Sequence, residues 1–391
     1  MTTDHAASNP GGGWPLADYR IQNPADLLTP ALAIYSEAVD ANLAATLRLL
    51  EGRPDRWRPH VKTAKLAFVM RQMVRAGITH FKCSTTLELA TLCELGAEDV
   101  LLAYPVMGAN ARRAGELARR FPRLRIAALI EHEAQIQPWP GSGVGLFIDL
   151  NPGMDRTGID AGRLDEIVDT ARKILAAGLA FRGLHQYEGH LGALGRAERE
   201  AAALLGYARL LEVVGVLERA GIKVSEVVTS GTPAFPNALA CAALRSASCT
   251  HRVSPGTVIY NDTTSLAQLP PEIGYRPAAL VVARVVSHPS SNRVTCDAGH
   301  KAVSADAGVP TCAVLGYPEL RPLKPSEEHL PIEAPAGSPL PALGELLYLL
   351  PRHICPTVNN FDHALIVSGG LITALEPVTA RGHEAPLIAR V

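Results

Sequence analysis

The sequence has no excess of charge of one sign: 37 lysines and arginines stand against 38 aspartates and glutamates in 391 residues. No basic field exists to hold nucleic acid or an anionic membrane, so neither is expected as a partner. No apolar run reaches the roughly 18 residues of a membrane span. The best candidate, 365–375, is interrupted by Ser368, Gly369 and Gly370. No CxxC occurs, and the seven cysteines are odd in number and widely spread, at 83, 93, 241, 249, 296, 312 and 355. A secreted disulfide framework is therefore not expected, and most of these thiols should be reduced. There is no internal repeat. Residues 1–15 lack the charged start and apolar stretch of a signal peptide, so 1–17 is expected to be a loose tail on a cytoplasmic protein.

What is present is a large apolar fraction, 47%, with 19% charged residues. Such a chain can bury a substantial core, which excludes disorder over most of its length. The 33 glycines and 30 prolines follow no G-x-y period and imply many tight connections. At roughly 100–200 residues per domain, the length suggests two to three domains, or one large barrel plus an appendage.

From residue 31 short β-branched runs alternate with longer amphipathic stretches. A strand at 31–35 leads into a helix capped by Ser36. Eight strand-like segments follow, at 57–61, 79–83, 100–104, 126–130, 144–150, 181–187, 226–229 and 251–253. Most precede helix candidates, at 66–76, 86–95, 110–121, 163–177, 198–220 and 234–244, several ending at Gly77, Gly96, Gly178 or Gly221. Strand–helix repeats imply parallel strands, and a count of eight favours an α/β, (β/α)8 TIM-type barrel, although an open sheet gives a similar string. The expected barrel covers 36–264. Beyond it, Pro-rich turns separate β-rich runs at 278–286, 293–296, 311–315, 346–350 and 364–367, with 318–341 a partly irregular connection. A mostly β domain is expected at 265–391, with 18–35 a candidate to join it.

In such a barrel the reactive groups stand where strands end. The first ends in Arg58-Pro59-His60-Val61-Lys62-Thr63-Ala64-Lys65. A partly desolvated Lys62 among other cations (His60, Arg58, Lys65) would have its amine poised for Schiff-base chemistry, although a solvated basic turn is the commoner meaning of such a string. The sixth ends with His185 and Tyr187 on one face, and the fifth in a Gly-rich turn presenting Arg156. Either could equally be structural: a buried tyrosine, a turn arginine paired with an acid. The last two end in Ser230-Gly231-Thr232 and Ser254-Pro255-Gly256-Thr257, small turns able to cradle a phosphate. Together with one lysine they suggest pyridoxal phosphate, which needs an amine, a phosphate cup and ring contacts. Gly141-Ser142-Gly143-Val144-Gly145 precedes a strand and is no dinucleotide loop. Further on, His353 and Cys355 would face the same way on an extended segment, as zinc ligands can, or form a buried structural pair. Ser326-Glu327-Glu328-His329 offers further ligands, a catalytic acid, or only a solvated turn.

The strings at 58–65, 153–158 (Gly-Met-x-Arg-x-Gly), 183–190 (Gly-Leu-x-x-Tyr-x-Gly-His), 255–257, 297–302, 326–329 and 351–359 resemble the D-threonine aldolase / D-serine dehydratase family, in that family's order. The resemblance implies an alanine-racemase-like barrel plus β domain, a homodimer, and a lyase using pyridoxal phosphate and a divalent metal on D-3-hydroxy amino acids. It further implies that Lys62 carries the cofactor, with Arg156 and Tyr187 at its ring. Gly231, Thr232, Gly256 and Thr257 would hold its phosphate, with Ser230 in the same turn. His353 and Cys355 would hold the metal. The chain departs from the family's pattern at Ala64 (usually His), in the phosphate turn Ser230-Gly231-Thr232 (one glycine where two are usual) and at Val258 (often Tyr). Dehydratases resemble His-x-Cys here and aldolases His-x-Asp. Cys355 therefore favours β-elimination to keto acid and ammonia over retro-aldol cleavage to glycine and aldehyde, and a thiolate suits zinc. A non-catalytic pyridoxal-phosphate carrier, the different-class alternative, would resemble the barrel alone.

Overall fold

The computed structural model describes residues 14–387, so the tail expected at 1–17 lies for its first thirteen residues outside the described part. The chain divides into two compact units. Among the described residues, one holds Thr46–Lys62 and Ala67–Gly256 with 382–387; the other holds 14–45, Thr63–Leu66 and Thr257–Arg381.

The first strand, Ala31–Tyr35 (β1), runs directly into helix Ser36–Leu49. The strands of the first unit then follow in order: His80–Cys83 (β2), Asp99–Leu102 (β3), Arg125–Ile130 (β4), Gly145–Asn151 (β5), the two-residue Ile159–Asp160 (β6), Phe181–Gln186 (β7), Glu226–Thr229 (β8) and Thr250–Val253 (β9). They pair in parallel, β2-β3-β4-β5-β7-β8-β9, with β6 beside β5. Helices Ala67–Arg75, Thr86–Cys93, Gly108–Arg120, Leu164–Ala176 and Arg196–Arg219 connect them. Most of the strand residues are buried, polar ones included, because both faces of the sheet are covered. Leu101, Ala127, Leu129, Phe147 and Val228 pack together as an apolar cluster.

Residues 57–61 close the ring. Trp57 bridges Val253 and His60 bridges Lys82, both in parallel. The N–H of Arg58 donates to the Val253 carbonyl at 2.9 Å, and that of Val61 to the Lys82 carbonyl at 2.8 Å. This segment takes the eighth strand position and decides for a closed barrel over an open sheet. It is no regular strand because Pro59 has no N–H to donate.

Arg58 is fully buried near the N-terminal ends of the strands. It pairs with Asp99 at 2.9 Å and with Glu226 at 2.9 Å. Arg182 and Arg252 join on the same two carboxylates, at 2.5 and 2.6 Å, and the more exposed Arg125 reaches Asp99 at 3.1 Å. This corrects the expectation that Arg58 helps poise Lys62: four residues of extended chain put about 13 Å between their Cα atoms, and its charge is spent on two acids. Replacing one member strands the others unpaired in the interior. Arg58→Met is expected to cost about 3–5 kcal/mol of stability, read as a lower melting temperature and denaturant midpoint.

The second unit is built on antiparallel strands: Ala279–Ser290 (β10), Arg293–Cys296 (β11), Cys312–Val314 (β12), Arg321–Pro322 (β13), Leu330–Glu333 (β14), Leu346–Pro351 (β15), His363–Ser368 (β16) and Leu371–Pro377 (β17). β1 inserts between β10, antiparallel, and β16, parallel, so the early strand does join the β-rich unit. β13 and β14 lie inside the stretch expected to be irregular. Gly369 and Gly370, both at positive φ, turn β16 into β17. Such a pair is a hairpin signal as well as an interruption of an apolar run.

Candidate active site

Lys62 ends the strand segment that closes the barrel and is half-buried. Its backbone N–H donates to His60 Nδ1 at 3.2 Å. Its amine lies 5.8 Å from the centre of the Tyr187 ring, the Arg156 guanidinium carbon 4.9 Å and the Lys82 amine 5.7 Å from the same centre. One phenol ring thus meets three cations, each drawn to its negative face. A Cβ at Gly231 would stand 2.5 Å from that ring, and one at Gly189 would overlap it. Both glycines are required where backbone and ring approach so closely.

Beneath Tyr187 runs a buried polar chain. The Lys82 amine meets His185 Nε2 at 3.2 Å, His185 Nδ1 meets Asp149 Oδ1 at 2.7 Å, and the Thr157 hydroxyl donates to Asp149 Oδ2 at 2.7 Å. Burial, with the neighbouring Lys62 charge, pushes the Lys82 amine down to about 7, and burial with the Lys82 charge lowers His185. The His185 ring thus stands between the Lys82 amine at Nε2 and the Asp149 carboxyl at Nδ1. Tyr187 and His185 share a face as the two-residue period requires, one at the mouth and one a layer deeper.

The turn after β8 places Ser230 at φ 63°. Its N–H donates to Glu188 Oε2 at 3.0 Å, its hydroxyl lies 2.8 Å from the Tyr207 hydroxyl, and its carbonyl accepts from the Ser254 N–H at 3.0 Å. The last bond ties the turns after β8 and β9 together. Glu188 is 1% exposed, and burial pushes its carboxyl up to about 7. A Cβ at Gly256 would collide with the His60 carbonyl, so this turn abuts the strand segment that carries Lys62. Ser254 is buried, and its hydroxyl has no hydrogen-bond partner among the described residues.

In the second unit, His353 and Cys355 flank the start of a short helix, Ile354–Val358, and not an extended segment as expected. The side chains still meet through a hydrogen bond. His353 Nδ1 lies 2.6 Å from Asp306 Oδ2, and the Cys355 sulfur lies 3.0 Å from the Thr63 hydroxyl. Burial alone would lower the His353 pKa, but Cys355 and Asp306 outweigh it and push it up to about 9. Glu327 and Glu328 both pair with Lys301, at 3.1 and 2.9 Å, so they do not join His353 and Cys355. Among the described residues no three His, Cys, Asp or Glu side chains cluster as a metal site. Lys82, Asp149, Glu188 and Asp306 went unread in the sequence. A lysine inside an otherwise apolar strand, Phe81-Lys82-Cys83, was the one available signal.

The model of the alanine racemase N-terminal domain matches residues 34–264. The chain belongs to that family. The model of a putative serine dehydratase domain matches residues 278–367, so the two matches follow one another along the chain. The D-threonine aldolase of an Arthrobacter species is 25% identical over 363 residues, covering 90% of this chain and 93% of its own. The D-threo-3-hydroxyaspartate dehydratase of Delftia sp. (strain HT23) is 24% identical over 372 residues, 88% of this chain and 96% of its own. A solved cysteine-to-alanine variant of that dehydratase, in the metal-free form, superposes with a TM-score of 0.72 at 23% identity, over 92% of this chain and 99% of that one. The crystal structure of D-threonine aldolase from Filomicrobium marinum superposes with a TM-score of 0.81 at 27% identity, over 92% of this chain and 97% of that one. The alanine-racemase-like barrel with a mostly β second unit is thus the fold of this chain as well.

Proposed function

We propose that the protein is a pyridoxal-phosphate- and divalent-metal-dependent lyase of D-3-hydroxy amino acids, and that its favoured reaction is β-elimination to a keto acid and ammonia. The observation that carries this reading is the barrel mouth. A half-buried amine, Lys62, faces a ring already flanked by cations, and the adjoining Gly-bearing turn holds a buried hydroxyl, Ser254, with no partner among the described residues. A phosphorylated aldehyde matches that donor set.

In this reading Lys62 Nζ holds the cofactor and is the group that accepts the substrate's α-proton. His60 takes the Lys62 backbone N–H and fixes the turn that presents the amine. Tyr187 offers its ring as a contact surface, clamped by Gly189 and Gly231. Arg156 supplies a fixed positive charge over that ring. Gly231, Thr232, Gly256 and Thr257 hold the phosphate, with Ser254 as a further donor. Ser230 shapes its turn from within, since its own N–H and hydroxyl are engaged in the interior. The cofactor, when bound, supplies an electron sink for charge at Cα.

His353 and Cys355 are the proposed metal ligands. Their side chains converge, and Asp306 beside His353 Nδ1 would accept its N–H and leave Nε2 to coordinate a metal. A bound zinc ion would supply Lewis acidity toward a β-hydroxyl. The cysteine is the reason for preferring elimination: in the resembled family dehydratases carry His-x-Cys where aldolases carry His-x-Asp, and a thiolate suits zinc. Cleavage to glycine and aldehyde is the second reading, supported by the full-length likeness to D-threonine aldolases. A carrier without activity would not need the second unit. A homodimer is proposed from the resemblance, and sedimentation velocity checks it.

The test is to incubate zinc-loaded protein with D-serine, D-threonine and D-3-hydroxyaspartate and to assay keto acid, ammonia and glycine. Keto acid and ammonia in equal amounts are expected from at least one substrate. Glycine as the main product would transfer the protein to the second reading, and no product from any would remove both.

A further inference from the structure

We propose that Glu188 is the positioning residue of the phosphate turn, needed in this chain because Ser230 occupies a backbone conformation that glycine would adopt without strain. The inference rests on the reading that this turn receives the cofactor's phosphate.

Ser230 has φ 63°, in the left-handed region that raises the energy of a residue bearing a Cβ. Such a conformation persists only where the surroundings over-determine it. Here they do. The Ser230 N–H is taken by Glu188 at 3.0 Å, its hydroxyl by Tyr207 at 2.8 Å and by Thr229 at 3.1 Å, and its carbonyl by the Ser254 N–H at 3.0 Å. Glu188 is itself held, its other oxygen accepting from the Gln186 side chain at 2.9 Å. The carboxylate is not placed to attract an anion, since like charge opposes a phosphate. Its service is therefore geometric: it accepts the one N–H that an untethered Ser230 could swing out of the turn. Because Ser230 also carries the link to Ser254, the same acceptor sets how the two phosphate turns stand toward each other.

Geometry predicts a pattern that charge does not. Glu188→Gln keeps an acceptor for the Ser230 N–H once Gln186 turns its amide over, whereas Glu188→Met keeps the length and loses the acceptor. With Ser230→Gly added, the turn can hold its shape unaided and Glu188 becomes dispensable.

The experiment titrates the full-length apoprotein with pyridoxal phosphate and, separately, with pyridoxal, which lacks the phosphate. Wild type, Glu188→Gln, Glu188→Met and the double variant Glu188→Met/Ser230→Gly are compared, with melting curves for each. Glu188→Met is expected to weaken pyridoxal-phosphate binding about tenfold and to leave pyridoxal binding within about twofold. Glu188→Gln should stay within about threefold of wild type, and the double variant should recover most of the loss. Unchanged pyridoxal-phosphate binding in Glu188→Met, equal loss for both ligands, or no recovery in the double variant would each overturn the proposal while the cofactor reading stands. Wild-type protein that binds neither ligand overturns both.

Discussion

Chelation of the metal, or replacement of Cys355 by serine, is expected to abolish turnover while the cofactor's visible absorption stays in place. The two effects separate because the proposed tasks are separate: charge at Cα belongs to the cofactor, and departure of the β-oxygen belongs to the metal. A serine hydroxyl is a far poorer zinc ligand than a thiolate, and with only His353 left the site should lose metal by a factor of about a hundred or more. Cys355→Asp is expected to keep a metal of harder character and to move product toward glycine and aldehyde. Elemental analysis of wild type, Cys355→Ser and Cys355→Ala checks the site without reference to activity. If Cys355 is only a structural thiol beside Thr63, Cys355→Ala changes stability and leaves metal content alone. Equal metal in wild type and variants, or none in either, removes the metal site and with it the preference for elimination.

Lys62→Ala carries the other large effect. Turnover is expected to fall by about a thousandfold or more, because the variant loses both the cofactor's covalent anchor and the proposed proton acceptor. The fold should survive, since Lys62 is half-buried and the barrel closes through the backbone bonds of Arg58 and Val61. Loss of visible absorption with an unchanged melting transition is the expected outcome. A collapsed melting transition would mean that Lys62 is structural. Lys82, the second amine facing Tyr187, is the internal comparison. It is 2% exposed and bonded to His185, so it should not replace Lys62.

Much of this architecture was legible because the barrel strands and helices carry their own local signals. The strand at 226–229 coincides with Glu226–Thr229, and the glycines that end helices stand at positive φ, as Gly77, Gly96, Gly178 and Gly221 show. β17 went unread because its residues are exposed or half-buried, so no buried face marks it in the sequence. The site was read at strand ends, where Lys62, Tyr187 and Arg156 were singled out, and the structure brings these three together. It was not legible where the meaning lies in a partner far along the chain. Asp306 stands 47 residues from His353, and Glu188 lies 42 residues from Ser230. Arg58 was misread for a related reason. Sequence proximity to Lys62 suggested a shared environment, whereas extended chain carries the two side chains to different levels of the barrel. The phosphate turn departs from the family's pattern in having one glycine, and the structure shows the hydrogen bonds that hold Ser230 at its positive φ.

The central claim is that Lys62 is the residue that carries pyridoxal phosphate. Borohydride reduction of the cofactor-loaded protein, followed by proteolysis and mass mapping, tests it most directly. The account predicts one phosphopyridoxyl group per chain on the peptide containing Lys62, with Lys82 unmodified. A group on Lys82 or any other lysine, or none at all, would contradict it.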